Sequence, residues 1–174
     1  MREQKNYISN YFQRKNQFHS KPIFHWKIKG ENKQMGMYTE INVCFDLAKD
    51  TPKNVVSILH YLIEGDDEPS DLPNHEFFKC DRWDMVARCD SYYFDGMTNS
   101  KIMFDNISKC YKVNIRANLK NYDNEIDKFL HWLTPYIDTE GFIGYTRYEE
   151  YDDPTLIYID YRDVVYKDVE QDDE

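Results

Sequence analysis

Two histidines at matching places in two predicted helices are the first residues in this chain that could do chemistry. His60 lies within Leu59–Leu62, and His131 lies within the related stretch Leu130–Leu133. An imidazole titrates near neutral pH and is a common metal ligand, so such a pair could act as acid and base or bind a metal. Each histidine is flanked by leucines of an apolar stripe, however, and no HxxxH or HExxH spacing is present. We therefore interpret both as packing residues on the core side of their helices and predict no metal site.

Acidic side chains occur in two dense groups, and clustered carboxylates can bind a divalent cation. Residues 64–76 contain six acids and no Lys or Arg, and residues 149–174 contain eleven acids against two basic side chains. The spacing of an EF-hand loop is absent, as are glycine-rich phosphate loops and the motifs of serine or cysteine nucleophiles. These patterns favour a solvated anionic surface on a protein without catalytic activity or cofactor.

Arginine, an acid and tyrosine recur at alternate positions in two predicted strands. Arg88–Tyr92 aligns in this way with Arg147–Tyr151. On one face of a sheet these residues could form an arginine–carboxylate ladder, or they could form a binding surface rich in tyrosine and arginine. Both interpretations stay open. If these residues form a binding surface, Arg88 and Arg147 are the candidate residues for binding a small anion such as a nucleotide.

The elements that position these residues follow one plan twice. Residues 38–47 alternate polar and apolar side chains, and an amphipathic helix then starts at Thr51-Pro52 and ends at Gly65. A strand at 111–119 and a helix at 126–137 repeat that order. Each unit continues with two extended runs, so internally duplicated β-α-β-β units predict an α+β fold: a largely antiparallel sheet with two helices on one face. The two later runs are 88–92 and 101–105 in the first unit, and 147–151 and 156–160 in the second.

The predicted domain organisation is one α+β domain over residues 1–165, followed by an acidic flexible tail at 166–174. Charge divides the chain, because residues 1–37 carry a net charge of +6 while the whole chain carries −10, which leaves −16 for residues 38–174. We expect the basic lead-in to contain a strand that pairs at the edge of the acidic sheet. The predicted parts of the domain are a basic lead-in and strand at 1–37, a first unit at 38–105 and a second unit at 111–161.

Composition also indicates the cellular compartment in which the protein is expected. The four cysteines form no CxxC pair, and no apolar run reaches the roughly 18 residues that a membrane-spanning helix needs. We expect a cytoplasmic protein with reduced thiols and no membrane contact. A strongly acidic surface repels nucleic acid, so direct nucleic-acid binding is disfavoured, while a homodimer is compatible with the sequence.

The charge distribution predicts an intracellular inhibitor that binds a basic partner protein and occludes its surface by charge complementarity. A nuclease or a nucleic-acid-binding protein would fit, by analogy of charge and size with immunity proteins, phage anti-defence proteins and DNA mimics. A nucleotide-binding or sponge protein is the alternative, and a metal-dependent enzyme using clustered carboxylates is the third candidate. The predicted partner-binding residues combine acids with aromatic anchors: Asp66, Asp67, Glu68, Asp71, Trp83, Tyr92, Tyr93, Tyr148, Glu149, Glu150, Asp152 and Asp153.

Overall fold

The computed structural model describes residues 37–169, which form a six-stranded antiparallel sheet with two α-helices. The strand order is β2-β3-β1-β4-β5-β6, so β1 lies in the middle of the sheet between β3 and β4. The predicted α+β class and antiparallel sheet are confirmed. In chain order the elements are β1 (Thr39–Asp46), α1 (Lys53–Glu64), β2 (Lys101–Asp105), β3 (Cys110–Leu119), α2 (Glu125–Leu133), β4 (Gly141–Tyr148), β5 (Thr155–Asp160) and β6 (Asp163–Asp168).

One face of the sheet carries the core. Ile41, Val43 and Phe45 alternate along β1 and are almost fully buried, as the period-two pattern predicts for a strand with one apolar face. Apolar side chains from β3, β4 and β5 join them, together with the apolar stripes of both helices, in one continuous cluster. Both helices therefore pack on this face. The opposite face carries the alternate residues of each strand, beginning with Glu40 and Asn42 in β1.

The helix boundaries follow local backbone chemistry. Gly65 ends α1 in the left-handed region with φ 78°, and its N–H donates to the carbonyl of Tyr61, as predicted for a glycine cap. Pro52 precedes the first helical residue, where its missing N–H costs no hydrogen bond. Thr51 donates its hydroxyl to the carbonyl of Ala48, so it stabilises the preceding turn rather than the helix.

The two predicted units share a strand followed by a helix, but they differ afterwards. The predicted strand at Arg88–Tyr92 is wrong, because these residues form a turn and a loop. At the free edge of β3, the N–H of Asn118 donates to the carbonyl of Cys89, and the N–H of Asn99 donates to the carbonyl of Arg116. Those two bonds occupy the edge positions that a further strand would need, and the chain between them leaves the sheet. The first unit is therefore β1-α1-β2.

The C-terminal strand β6 was not predicted. It pairs with β5 across a two-residue turn in which Tyr161 and Arg162 have φ of 51° and 64°. Left-handed backbone at both positions is the geometry of a type I′ hairpin, for which Asn-Gly is the usual signal. The predicted start of a flexible tail at residue 166 falls inside this strand, which continues to Asp168.

Two predicted segments lie outside the described residues. They are the basic lead-in with its strand, of which residues 1–36 are not described, and the end of the acidic tail at 170–174. Within residues 37–169, no helix has the length and apolar character needed to cross a membrane.

Candidate protein-binding surface

A loop formed by residues 90–98 covers part of the sheet face that the helices leave open. Both of its ends are fixed at the edge of β3, by the backbone bonds of Cys89 and Asn99. In the middle, the ring of Phe94 is buried and lies 5.0 Å from the guanidinium of Arg147. The loop therefore has an apolar and cationic contact with the sheet between its two anchored ends.

A buried carboxylate lies in the sheet beneath the loop. Glu40 is 1 % exposed, and its two oxygens accept hydrogen bonds from Arg116 Nη2 at 2.6 Å and from Arg147 Nη2 at 3.3 Å. The register explains this arrangement, since Arg147 on β4 lies directly opposite Glu40 and Arg116 lies two residues along β3. A charge removed from water needs such partners, so the three side chains act as one unit.

Arg116 connects this unit to the loop. Its guanidinium also donates to the carbonyls of Asp95 and Met97, each at 3.0 Å. Gly96, with φ 117°, lies between these carbonyls and allows the close approach, because a Cβ there would be 2.3 Å from Arg116 Nη1. The conformation of the loop is thus set by hydrogen bonds between its backbone carbonyls and the Arg116 guanidinium, which Glu40 holds in the sheet.

The first residues of the loop are fixed in the same way. The carboxylate of Asp90 accepts from Asn118 Nδ2 at 3.2 Å and from the N–H of Ser91 at 2.8 Å. These hydrogen bonds from Asn118 and Ser91 hold the pKa of Asp90 below its usual value, because they stabilise the ionised form. The hydroxyl of Thr98 closes the other end by donating to the carbonyl of Cys89 at 2.9 Å.

The anchored loop presents two tyrosines beside the turn that joins β4 to β5. Tyr92 is 95 % exposed, and Tyr93 is 50 % exposed. The hydroxyl of Tyr93 donates to the carbonyl of Glu149, and the ring of Tyr92 lies edge-on to Tyr38 with 6.4 Å between centroids. Tyr38 in turn exchanges hydrogen bonds with Glu149, through its backbone N–H and carbonyl. Loop and turn therefore form one continuous surface.

The turn itself is acidic. Residues 149–153 contain four acids, of which Glu150, Asp152 and Asp153 are exposed, and the ring of Tyr148 packs edge-on against Tyr151. We call this part of the protein the Tyr-acid surface, defined by Tyr92, Tyr93, Glu149, Glu150, Asp152 and Asp153. The structure thus brings together half of the predicted partner-binding residues, with Tyr148 packed at their edge.

The other predicted partner-binding residues lie elsewhere. Asp66, Asp67, Glu68 and Asp71 are exposed in the loop after α1. Trp83 is partly buried, since its ring packs against Tyr61, Phe77 and Phe78 in an aromatic cluster next to α2. Its placement is that of a packing residue rather than an exposed anchor.

The two arginines predicted to bind a small anion have different environments. Arg88 is exposed and lies 5.2 Å above the ring of Tyr61, with a hydrogen bond to the carbonyl of Asp84. Arg147 is occupied by Glu40 and Phe94. Arg147 shares this carboxylate with Arg116, so one negative charge offsets two guanidinium groups and the three side chains keep a net charge of +1.

The prediction that both histidines lie on the core side of their helices is wrong. His60 is partly exposed with its Nδ1 2.7 Å from a Glu64 oxygen, and His131 is exposed with its Nδ1 2.9 Å from the carbonyl of Asp127. The leucines on either side point inward, and the residue after an inward leucine is rotated by about 100° around a helix of 3.6 residues per turn. Repetition of the motif therefore places each histidine on the flank of its helix.

The hydrogen bond to Asp127 raises the pKa of His131 to about 9, against the opposing effect of partial burial. His60 belongs to a different cluster. Among residues 37–169, His60, Glu64 and Asp66 are the group whose side-chain ligand atoms lie within 4.8 Å of one another. This group could hold a metal ion; the sequence reasoning weighed pairs of histidines and clusters of carboxylates separately and did not combine the two.

Sequence reasoning did not find Glu40, Arg116 or Phe94, which hold the loop in place. The alternation in β1 indicated that Glu40 faces away from the core, and such a residue is ordinarily solvated. Its burial depends on a loop that comes from 50 residues later in the chain, and no local pattern indicates that contact.

Known proteins give no guide to the role of this surface. No family model matches the chain, and neither the curated proteins nor the solved structures contain a match.

Proposed function

We propose that this protein binds a basic partner protein through the Tyr-acid surface and inhibits it by covering its basic surface. The observation that carries the proposal is the anchored loop, which holds Tyr92 and Tyr93 exposed beside four acids in residues 149–153. Tyrosine is enriched among the residues that dominate binding energies, and acids beside it select a positively charged partner.

The anchoring supports a binding role for the tyrosines. Exposing a large ring to water gives no stability to the protein itself, yet the backbone around Tyr92 is held by hydrogen bonds at Asp90, Ser91 and Tyr93. A loop whose backbone is already positioned loses less conformational freedom when a partner binds. The arrangement is therefore suited to binding at low entropic cost.

The surrounding charge supports a basic partner. Residues 37–169 contain 14 Lys or Arg and 26 Asp or Glu. Two of these cations, Arg116 and Arg147, share the buried Glu40 carboxylate, so these three side chains together contribute one positive charge. The resulting negative potential would accelerate encounter with a basic protein and would be screened by salt.

The proposal includes a reducing compartment such as the cytoplasm. Cys44, Cys80, Cys89 and Cys110 are all free thiols. Cys80 is buried, and this burial raises the pKa of its thiol, which disfavours the reactive thiolate. Its thiol is thus suited to packing rather than to redox chemistry.

The test uses the full chain as bait for chemical crosslinking in lysate at low salt, followed by affinity measurements with the recovered protein. We expect a basic protein whose affinity falls at least tenfold between about 50 and 300 mM salt. Tyr92→Ser should weaken binding by about 10-fold or more, as expected for an interface anchor. Recovery of no basic protein at low salt would count against the proposal.

A matched pair of charge reversals separates this surface from net charge. Glu150→Lys with Asp152→Lys changes the Tyr-acid surface, whereas Glu68→Lys with Asp71→Lys makes the same change in charge on the loop after α1. The first variant should lose most of the affinity, and the second should lose only the share that long-range attraction supplies. Equal losses in the two variants would show that binding depends on net charge and would overturn the assigned surface.

A further inference from the structure

We infer that His60, Glu64 and Asp66 form a binding site for a divalent transition-metal ion, best suited to Zn²⁺, at the C-terminal end of α1. Their ligand atoms lie within 4.8 Å of one another, and His60 and Asp66 also line a cavity of about 490 Å³ together with Ser57 and Asp67. The site uses no residue of the Tyr-acid surface, so it goes beyond the proposed function.

The distances suit a shared ion. His60 and Glu64 are four residues apart on one face of α1, with Nδ1 and Oε2 separated by 2.7 Å. Two ligands that each lie about 2.1 Å from Zn²⁺ are separated by about 3.0 to 3.4 Å at the angles of octahedral or tetrahedral coordination. The pair needs to open by less than about 1 Å to admit an ion between its atoms.

The helix end supplies the third ligand. Gly65 takes φ 78° and turns the chain back, which brings the carboxylate of Asp66 close to Glu64 and His60 in the last part of α1. The ring of His60 also packs edge-on against Tyr111, with 6.2 Å between centroids. That contact comes from β3, outside the acidic segment, and it limits the rotation of the imidazole.

The chemistry of the donors selects the metal. Imidazole nitrogen is a ligand of Zn²⁺ and other transition metals, whereas Mg²⁺ and Ca²⁺ prefer oxygen ligands alone. One nitrogen and two carboxylates leave a position open in a tetrahedral shell, and water or Asp67 at the cavity wall can complete it. Residues 149–153 have comparable acidity but no histidine, so their acids do not make an equivalent donor set.

His131 is the matched control within the same protein. It too lies one helical turn from an acid, with Nδ1 3.4 Å from an Asp127 oxygen. The hydroxyl of Tyr166 already donates to that carboxylate at 2.9 Å. The pKa of His131 is raised to about 9, so its imidazole is protonated at neutral pH. A protonated imidazole cannot bind a metal.

The experiment is isothermal titration calorimetry of the full chain with ZnCl₂ and, separately, MgCl₂ at pH 7.4. We expect one saturable Zn²⁺ site, with Mg²⁺ binding at least tenfold more weakly. His60→Gln and Asp66→Asn should each weaken Zn²⁺ binding at least tenfold, while His131→Gln should leave the affinity within twofold of the unmodified protein.

Three results would overturn the inference. They are the absence of Zn²⁺ binding by the unmodified protein, an unchanged affinity in the two site variants, and an equal loss in His131→Gln. Circular dichroism monitors folding of each variant. Asp66 is exposed in a loop, so Asp66→Asn keeps the test decisive if His60→Gln fails to fold.

Discussion

Replacing Glu40 by glutamine tests whether the buried charge unit holds the 90–98 loop. Glutamine keeps the length of the side chain and one carbonyl acceptor, but it removes the negative charge and turns an NH₂ group toward one of the arginines. Arg147 depends on this carboxylate, because its Nε is buried without a hydrogen-bond partner among residues 37–169. We expect the variant to lose stability and to loosen the loop.

The structure sets the size of the effect. Removing one member of a fully buried ion pair costs about 3 to 5 kcal/mol. The side chains of Arg116 and Arg147 are 23 % and 38 % exposed, so water can solvate part of each guanidinium once Glu40 is neutral. We therefore expect the lower end, a loss of about 3 kcal/mol in the free energy of unfolding. For a domain of this size that loss lowers the melting temperature by about 6 to 12 °C.

The measurement is urea unfolding followed by circular dichroism, with Asp46→Asn as the matched control. Asp46 is on the same strand and the same face as Glu40, and it pairs with Lys112 at 2.9 Å, but both side chains are about two-fifths exposed. An exposed pair contributes about 0 to 1 kcal/mol, so the control should change stability little. If Glu40→Gln costs no more than Asp46→Asn, or if hydrogen exchange in residues 89–99 is unchanged, the reasoning is refuted.

Two further perturbations test other parts of the structure. The pKa of His131 is raised from 6.5 to about 9 by Asp127, so this pair stabilises the fold fully below pH 6.5 and loses that contribution as the pH rises through 9. His131→Gln should abolish this part of the pH dependence of the free energy of unfolding, measured by urea unfolding at pH 6 to 10. The contribution is small, because the two side chains of the pair are about half exposed. An identical dependence of stability on pH in both proteins would contradict the prediction. Gly144→Ala should cost more than about 3 kcal/mol in thermal or urea unfolding, because its Cβ would lie 1.9 Å from the carbonyl oxygen of Asn42. Gly141→Ala, also at positive φ but with no atom within 4 Å, should cost about 1 to 2 kcal/mol, and equal losses would refute the steric argument.

The elements that were predicted correctly are those whose apolar pattern lies within the element itself. The alternation of Ile41, Val43 and Phe45 identifies β1 and its buried face, and the apolar stripe ending at Gly65 identifies α1. In each case the residues that specify the element lie within it, so their spacing alone carries the information.

The errors arise where distant contacts decide the structure. Arg88–Tyr92 has the alternation of a strand, but Cys89 contributes a single backbone bond to β3 and the following residues fold over Glu40 and Arg116. The turn at Tyr161 and Arg162 lacks the usual glycine signal, so β6 was missed. All six residues that define the Tyr-acid surface were named from residue type, and they are half of the residues predicted to bind a partner. The support beneath this surface depends on pairing between strands.

The acidic turn and the tyrosines would contribute to binding in different ways. Long-range attraction by Glu150 and Asp152 acts before contact, so their replacement should lower the association rate and its dependence on salt. In the proposed complex Tyr92 would act after contact, when its ring leaves water, so its replacement should raise the dissociation rate and leave association nearly unchanged. Charge alone would attract many basic proteins, whereas a ring held at one position fits a complementary site on few of them. Selectivity would therefore depend on the buried Glu40 unit, because that unit keeps the loop and its tyrosines in place.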